Sequence, residues 1–275
     1  MNIYLFGKTS LSGEFFYKHL KLKKIKYKIY SFSRDKKKGY KIDLKNPDSF
    51  TVINNEDFIL ISFAPIWHLA VFLNYLVNKE NSSLKNLKGI IACSSTSAIT
   101  KRFESNNYDK NLVKKLLISE RKIRSVAEKL NINCSIIRPT MIYGSFKKIK
   151  DKNISKILFL MKYLKIVPIP SDSGLRQPIH AEQLAEVVYF LMIKSLKAKT
   201  KVSNNLINLG GDIILNYEEI IESLKNNLGK NNQASKCLIL KIPNRFFLIC
   251  ILPVMIFSPK SFAALSRVCS NLSGF

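Results

Sequence analysis

Two glycines near the amino terminus, Gly7 and Gly13, have the spacing of a phosphate-binding turn. The stretch FGKTSLSG follows an apolar run, so a strand would end at the first glycine and a helix would begin near the second. The first glycine permits a tight turn, the last permits close packing of helix and strand, and helix N-terminal amides bind phosphate. Ser10 stands where a third glycine would bring the backbone against phosphate, and its small hydroxyl can bond an oxyanion. We expect Gly7, Thr9, Ser10 and Gly13 to contact a dinucleotide.

Basic residues follow the second predicted strand, which ends in SFSRD. A turn selective for NAD would place a carboxylate at the strand end to bind the ribose 2′-hydroxyl. Here Arg34 comes first and a lysine run, 36–38, follows, and a guanidinium suits a 2′-phosphate. The pattern favours NADP over NAD. The alternative is that Asp35 binds the ribose and the basic run is solvated. Asp43 is placed to accept a hydrogen bond from the adenine amino group.

Strand and helix patterns alternate through the first 140 residues or so, which predicts how these groups are positioned. Buried-strand patterns occupy residues 2–6, 27–32, 57–63, 88–94 and 133–138, and helical patterns occupy 14–24, 66–79 and 112–130. Such alternation predicts an α/β fold, a Rossmann-type doubly wound parallel sheet with helices on both faces. We expect a dinucleotide-binding domain at residues 1–144.

The pattern is less regular after Gly144, and residues 145–275 are predicted to form a smaller substrate-binding lobe. Helical patterns occupy 153–163, 182–194 and 216–228, and a strand pattern occupies 205–209. The apolar segment 245–257, RFFLICILPVMIF, is too short to cross a bilayer, which takes roughly 20 residues. We expect it to form a buried helix, with an interfacial helix as the alternative.

The net charge of +26 comes mainly from lysines scattered along the chain, together with abundant Asn and Ile. This pattern is typical of a genome rich in A and T, so we expect no specific nucleic-acid partner. None of the five cysteines forms a CxxC pair. They are predicted to be free thiols in a reducing cytoplasm, which excludes a disulfide framework and a zinc site.

Five segments resemble, in order, those of the extended or atypical short-chain dehydrogenases/reductases of the NAD-dependent epimerase/dehydratase (nucleotide-sugar epimerase-like) family. They are FGKTSLSG, KIDLKNPDSF, IACSSTSAI, SIIRPTMIYG and RQPIHAEQLAEVV. INLGG matches the strand that follows, and the resemblance covers roughly residues 1–230. Its most specific parts are RPTMIYG and RQPIHAEQLA.

The resemblance implies roles for several residues. Thr96 would hydrogen-bond the reacting sugar hydroxyl, or else cap a strand end. Ser62 and Ala64 would line the cofactor, and Pro139 would lie beside the nicotinamide. Tyr143 would face the substrate, or else pack in the turn into the substrate lobe.

The chain departs from the family at the Tyr-xxx-Lys pair, in which the tyrosine moves the proton and the lysine binds the ribose. If Glu120 is the family glutamate four residues after that lysine, the pair falls on Leu112 and Leu116. Candidate substitutes for the proton-transfer group are Tyr108 and His180, and His180 otherwise anchors the lobe. Lys114 or Lys115 could replace the ribose-binding lysine.

Arg176 and Gln177 precede His180 in GLRQPIH. An arginine there is suited to clamp a diphosphate through two hydrogen bonds. The alternative is a surface ion pair.

Two functions follow from these observations. One is an NADP-using epimerase, dehydratase or reductase acting on a nucleotide-linked or polyprenyl-diphosphate-linked sugar. The other is a non-catalytic NADP(H)-binding module that serves as a structural subunit, assembly factor or redox sensor. We expect a cytoplasmic protein, with a homodimer and peripheral membrane contact through residues 245–257 as further expectations.

Overall fold

The computed structural model describes residues 1–47, 50, 56–79, 82–197, 203–229 and 231–275. Its strands in these ranges are β1 (Asn2–Phe6), β2 (Lys28–Ser33), β3 (Tyr40–Lys41), β4 (Phe58–Ser62), β5 (Leu87–Cys93), β6 (Asn133–Pro139), β7 (Ile142–Tyr143), β8 (Ser145–Phe146), β9 (Ile149–Lys150), β10 (Ile166–Pro170), β11 (Ile179–His180), β12 (Asn204–Leu209) and β13 (Leu238–Ile242). The helices are α1 (Leu11–Leu22), α2 (Ile66–Asn78), α3 (Ser97–Thr100), α4 (Asn107–Lys129), α5 (Ile154–Tyr163), α6 (Ala181–Lys197), α7 (Tyr217–Asn227), α8 (Asn244–Phe257) and α9 (Pro259–Ser266).

A parallel sheet forms the centre of the molecule, with seven strands within the described residues. Their order is β12-β6-β5-β4-β1-β2-β3, and the direction of winding reverses between β1 and β4. Ligands of such sheets bind at this switch point, outside the carboxyl ends of the strands. The predicted α/β class with a doubly wound parallel sheet is confirmed.

Side chains alternate between the two faces of the sheet, as a strand requires. On β1, Ile3 and Leu5 pack in one core with residues of α1 and α6, whereas Tyr4 and Phe6 pack in a second core with residues of α2 and α4. Both faces are therefore covered, which explains why β1 and β4 are apolar almost without interruption.

Helix α4 begins at Asn107, five residues before the predicted start at 112. The Asn106 side chain accepts a hydrogen bond from the Asp109 amide, so Asn106 caps the helix. Capping residues extend a helix beyond its apolar stripe, and this cap adds more than one turn to α4.

The segment after Gly144 contributes to two parts of the molecule. The parallel pair β10 and β13 packs with α5 and α7 around a third core that includes Met161, Val167 and Ile221. Helix α6 packs on α1, and β12 pairs with β6, so both belong to the layers of the main sheet. The division into domains at residue 144 remains a prediction.

Helix α8 confirms that the apolar segment is helical, but the prediction that it is buried is wrong. Phe247 and Ile251, one turn apart, are its buried apolar side chains, whereas Ile256 is 80% and Phe257 is 87% exposed. The helix is apolar on all sides and packs against the molecule along one narrow stripe. No helix in the described ranges is long and apolar enough to cross a membrane.

Candidate functional site

The glycine turn joins β1 to α1 under tight steric limits. Gly7 has a φ of 72°, and a Cβ atom there would lie 2.5 Å from the Ala64 nitrogen. A Cβ at Gly13 would lie 2.3 Å from the Gly7 carbonyl oxygen. Real Cβ atoms do not approach backbone this closely, so both positions require glycine. The turn thereby places the start of α1 directly beside the carboxyl end of β4.

Ser10 caps helix α1. Its hydroxyl accepts from the Gly13 amide at 3.1 Å and donates to the Gly7 carbonyl at 2.8 Å. Its φ of −77° is ordinary for any residue, so the position does not need glycine for conformational reasons. The amides of Leu11 and Ser12, in the first turn of the helix, have no carbonyl one turn earlier within the helix to bond. They are suited to bind an anion.

A first cavity of about 450 Å³ lies against this turn and the carboxyl end of β2. Six of the predicted cofactor-binding residues line it, namely Gly7, Thr9, Ser10, Arg34, Asp43 and Ala64. Its wall also includes Lys38, from the lysine run that favoured NADP, and Lys45 and His68, which the sequence motifs did not indicate as ligand contacts.

Cations outnumber carboxylates in the wall of the first cavity. Arg34, Lys38 and Lys45 bring three cations to its wall, and the carboxylates of Asp35 and Asp43 accept backbone hydrogen bonds from Lys37 and Lys45 at 3.0 Å. Burial, followed by the charge of Lys45, lowers the pKa of His68 below its usual value, and Asp43 acts in the opposite direction. The cavity is therefore suited to a negatively charged group.

A second cavity of about 600 Å³ adjoins the first and shares Ser10, Phe63, Ala64 and Pro65 with it. It lies over the carboxyl ends of β5 and β6. Its wall is mostly apolar, with Leu11, Ile66, Trp67, Leu112, Leu116, Pro139, Ile142, Ile149 and Leu184. The two cavities together form a continuous cleft across the switch point of the sheet.

Leu112 and Leu116 occupy one wall of the second cavity. Glu120, one turn further along α4, is buried and accepts hydrogen bonds from Arg138 and Ser94. Residues four apart lie on one side of a helix. The buried pair of Glu120 and Arg138 therefore fixes the side of α4 on which Leu112 and Leu116 face the cavity. The side chains at these two positions offer neither a proton donor nor a cation.

Polar groups enter the second cavity from other elements. Lys150, Asp151 and Lys152, which no sequence motif indicated, reach it from the end of the hairpin β8–β9, and Ser94 and Ser95 of the segment IACSSTSAI reach it from the end of β5. Cys93 also lines the cavity, and burial raises the pKa of its thiol to about 12, so the thiol stays protonated at neutral pH.

The three predicted catalytic residues are not part of the lining of these two cavities. Thr96 is buried, and its hydroxyl donates to the Pro139 carbonyl at 3.1 Å. Tyr108 is half-exposed, with the Lys260 ammonium 3.9 Å from its ring centre. His180 packs its ring against Phe15 and Tyr143.

Arg176 and Gln177 hold the carboxyl-terminal segment. The buried Arg176 guanidinium donates to the carbonyls of Leu175, Ser270 and Arg267. The Gln177 amide bonds the backbone of residues 211, 274 and 275. Tyr143 pairs with His180 in the short pairing of β7 and β11. The predicted contacts of these side chains with substrate remain predictions.

The remaining predicted cofactor residues lie around the cleft. Pro139 lines the second cavity directly. Ser62 is buried below it and accepts a hydrogen bond from the Ala64 amide at 3.3 Å. Among the described residues, no three His, Cys, Asp or Glu side chains come together as metal ligands would.

Searches with the sequence find no matching family model and no significantly matching curated protein. Several solved structures are similar to the chain. The UDP-N-acetylglucosamine 4-epimerase from Bacillus cereus has 16% identity and a TM-score of 0.64, over 97% of this chain and 94% of that one. The GDP-mannoheptose C4 reductase MlghC from Campylobacter jejuni, with NADP bound, has 16% identity and a TM-score of 0.66, over 88% and 86%. The UDP-glucuronic acid 4-epimerase from Bacillus cereus, in complex with UDP-glucuronic acid and NAD, has 15% identity and a TM-score of 0.64, over 88% and 86%.

These identities are low, but the matched structures agree with the chain over most of both lengths. The glycine turn and the cleft of this chain lie at the switch point of the same kind of sheet. The chain therefore has the fold of the nucleotide-sugar epimerases and reductases.

Proposed function

We propose that the chain binds NADP(H) along the cleft and belongs to the epimerases, dehydratases and reductases that act on nucleotide-linked sugars. The observation that carries this proposal is the glycine turn at the meeting point of two adjoining cavities. A dinucleotide has two halves joined by a pyrophosphate, and the cleft has two cavities joined at the N-terminus of α1. The similar solved structures with bound NAD or NADP support the same conclusion.

The residues present fit the parts of this cofactor. The adenosine half would occupy the first cavity, with its 2′-phosphate among Arg34, Lys38 and Lys45. The pyrophosphate would lie at the first-turn amides of α1, which the tightly packed glycine turn holds where the two cavities meet. The nicotinamide half would occupy the second cavity, beside Pro139. When bound, the cofactor would supply hydride acceptance or donation at a sugar carbon.

The groups that this chain contributes to the reaction come from strand ends and the hairpin. Ser94 and Ser95 place hydroxyls in the second cavity, and Lys150 and Lys152 place ammonium groups there. These cations would attract the diphosphate of a nucleotide-linked substrate. Asp151 caps the start of α5 by accepting from the amides of Asn153 and Ser155, so its carboxylate is held in one orientation.

A non-catalytic role is the second candidate, and one observation favours it. Leu112 and Leu116 line the second cavity where the resemblance expects the tyrosine and the lysine. A protein that only held NADP(H) would need the two cavities and the glycine turn, but not those two polar groups.

Cofactor binding is tested by fluorescence titration with NADPH and NADH. We expect NADPH to bind more tightly than NADH, and Arg34→Ala to reduce NADPH affinity by about tenfold while it leaves NADH affinity nearly unchanged. The matched control is Arg121→Ala, which removes an exposed arginine of α4 away from both cavities. Equal affinities for both cofactors would contradict the NADP preference, and no binding of either would contradict the proposal.

Catalysis is tested by mixing the protein, with NADP or NADPH bound, with UDP-linked and GDP-linked sugars. The absorbance of the reduced nicotinamide is followed over time. A reductase changes this absorbance with the native Leu112 and Leu116, whereas an epimerase or a dehydratase restores its cofactor and is detected by NMR analysis of the sugar. Leu112→Tyr combined with Leu116→Lys raises either rate. If neither protein changes the absorbance or converts a sugar, but both bind NADPH, the non-catalytic role is the correct one.

A further inference from the structure

We propose that helix α8 and the adjoining face of strands β10 and β13 bind the surface of an anionic lipid bilayer. We call these two parts together the carboxyl-terminal apolar surface. It is separate from the cleft, so this proposal stands independently of the proposed function.

Helix α8 exposes large apolar side chains over its whole length. Phe246 is 63% exposed at its start, and Ile256 and Phe257 are more exposed still at its end. Ile249, Leu252 and Met255 lie between them and are each about half-exposed or more. Soluble surfaces rarely carry a continuous apolar patch of this kind unless it binds something.

The strand pair β10–β13 continues the apolar surface. Its register places Ile166 opposite Leu238 and Pro168 opposite Leu240, and these four side chains share one face of the pair. Ile166, Leu238 and Leu240 are 50%, 65% and 49% exposed. The opposite face carries Val167, Ile169 and Ile239, which pack in the third core. The pair is therefore apolar on both faces, and only one face is covered by the chain.

The strand face and the helix are held beside each other. Asn244, the first residue of α8, donates to the Asp172 carbonyl at 2.8 Å and accepts from the Asp172 amide at 3.1 Å. Asp172 lies two residues after the end of β10, and α8 contacts β10. The apolar side chains of both parts thus belong to one region of the molecule.

Charge identifies the partner. From residue 223 to 275 the sequence contains no Asp or Glu, and it contains Lys225, Lys230, Lys236, Lys241, Arg245, Lys260 and Arg267. Residues 152–171, which include α5 and β10, likewise contain four lysines and no acidic residue. Arg245 is exposed beside Phe246 at the start of the helix. Lys225, Lys241 and Arg267 pair with acidic side chains, whereas Arg245 and Lys260 are exposed. An apolar surface bordered by more cations than carboxylates matches anionic lipid, whose headgroups attract each nearby Lys or Arg by about 1 kcal/mol.

The same charges argue against a second copy of the chain, because self-association through this surface would bring like charges together. The length of α8 excludes a transmembrane position, since 14 residues do not cross the hydrocarbon core. An apolar helix with basic flanks lies in the interface instead, with its apolar side chains inserted among the acyl chains.

The proposal is tested with the full chain and two kinds of vesicle, phosphatidylcholine alone and phosphatidylcholine mixed with phosphatidylglycerol. We expect cosedimentation with the anionic vesicles only, and release by added salt because surface charges are screened. Ile256→Ser combined with Phe257→Ser should reduce the bound fraction at least tenfold. The matched control, Phe190→Ser, removes an equally apolar side chain that is 64% exposed on α6, and binding should be unchanged.

Three results would overturn the proposal. The first is that the protein does not cosediment with the anionic vesicles, and the second is that Phe190→Ser loses as much binding as the double variant. The third is that light scattering finds a wild-type dimer, which Ile256→Ser combined with Phe257→Ser converts to a monomer. The last would show that a second copy covers the surface. Circular dichroism and thermal unfolding report that each variant is folded. As an independent measurement, Phe257→Trp should show fluorescence quenching by lipids brominated on their acyl chains, and no quenching would also contradict the proposal.

Discussion

Leu112 and Leu116 show how single residues limit the chemistry of the second cavity. Their side chains cannot transfer a proton or form a hydrogen bond with a ribose hydroxyl, so any reaction in the cavity depends on groups from other elements. The first cavity is the opposite case, because its wall combines several cations with the histidine His68. At this scale the chain has more groups suited to bind the proposed cofactor than groups suited to move a proton.

The protonation of His68 provides a test of the first cavity. In the free protein its pKa is lowered by burial and by Lys45, so we expect titration below 6.5. A 2′-phosphate bound nearby would stabilise the protonated ring, so NADPH should raise this pKa and NADH should raise it by less. By linkage, NADPH binding would then be accompanied by proton uptake.

The measurement is an NMR titration of the histidine ring protons, assigned with His68→Asn. His19 is the internal control, because its pKa is also lowered by burial and by Lys23, but it packs beside Tyr189 and does not line the first cavity. A His68 titration that NADPH leaves unmoved would contradict the placement of the 2′-phosphate.

At the scale of elements, the turn between β1 and α1 sets the geometry of the cleft. The helix can approach the strand only because Gly13 has no side chain, and Ser10 closes the turn from within. Elsewhere, GLRQPIH turns out to tie the chain end to the lobe through Arg176 and Gln177. In this motif, the hydrogen-bonding groups of Arg176 and Gln177 are thus taken up by backbone groups of the chain itself.

Gly13→Ala should disturb this turn. Alanine normally favours a helix over glycine by up to about 1 kcal/mol, but the added Cβ would collide with the Gly7 carbonyl. We expect a net loss of about 1–3 kcal/mol in the free energy of unfolding and weaker NADPH binding. Chemical denaturation and fluorescence titration measure the two effects.

Gly229→Ala is the matched control, because its Cβ would meet nothing within 4 Å among the described residues. It should leave cofactor binding unchanged. If Gly13→Ala behaved like this control, the close approach of α1 to β1 would not matter for binding.

At the scale of the whole molecule, buried charges connect segments that are far apart in the chain. Asp109, at the start of α4, is fully buried and pairs with Lys101 at 2.6 Å and with Arg267 at 2.9 Å. Arg267 also pairs with Glu104 at 2.8 Å. This cluster joins the end of the chain to the helix that forms a wall of the second cavity.

Asp109→Asn should destabilise the protein by about 3 kcal/mol, because it leaves the partly buried cations of Lys101 and Arg267 without a full partner. Burial raises the pKa of Asp109, but hydrogen bonds from Lys101, Asn106 and Arg267 outweigh it, and the pKa is lowered overall. A lowered carboxyl pKa stabilises the fold above the unfolded pKa of about 4, and this stabilisation is lost as the pH falls through the folded value. The difference between wild type and variant should therefore shrink below about pH 4.

Urea denaturation as a function of pH measures this difference. Asp57→Asn is the control, since Asp57 pairs with Lys88 at 3.2 Å in solvent and should contribute at most about 1 kcal/mol. A difference that persisted unchanged into acid would contradict the role of the Asp109 carboxylate.

Local patterns determined the sheet, the glycine turn and much of the first cavity. A period of two or of 3.6 residues depends only on neighbouring positions, and Gly7, Arg34 and Ala64 lie at strand ends that parallel pairing brings to one edge. The placement of Leu112 and Leu116 also followed from a local spacing, because Glu120 lies on the same side of α4.

Tertiary structure alone decided which partners distant side chains meet. His68, Lys45 and Lys150 reach the cleft from loops and a helix whose paths no local pattern predicts. Arg176 donates to carbonyls about ninety residues away, and these partners are set by where residues 267–270 pack in space. The exposure of Phe257 was missed for the same reason. An apolar helix is more stable when its side chains are buried against other apolar groups. Only the packing of the other elements decides whether the chain itself buries them.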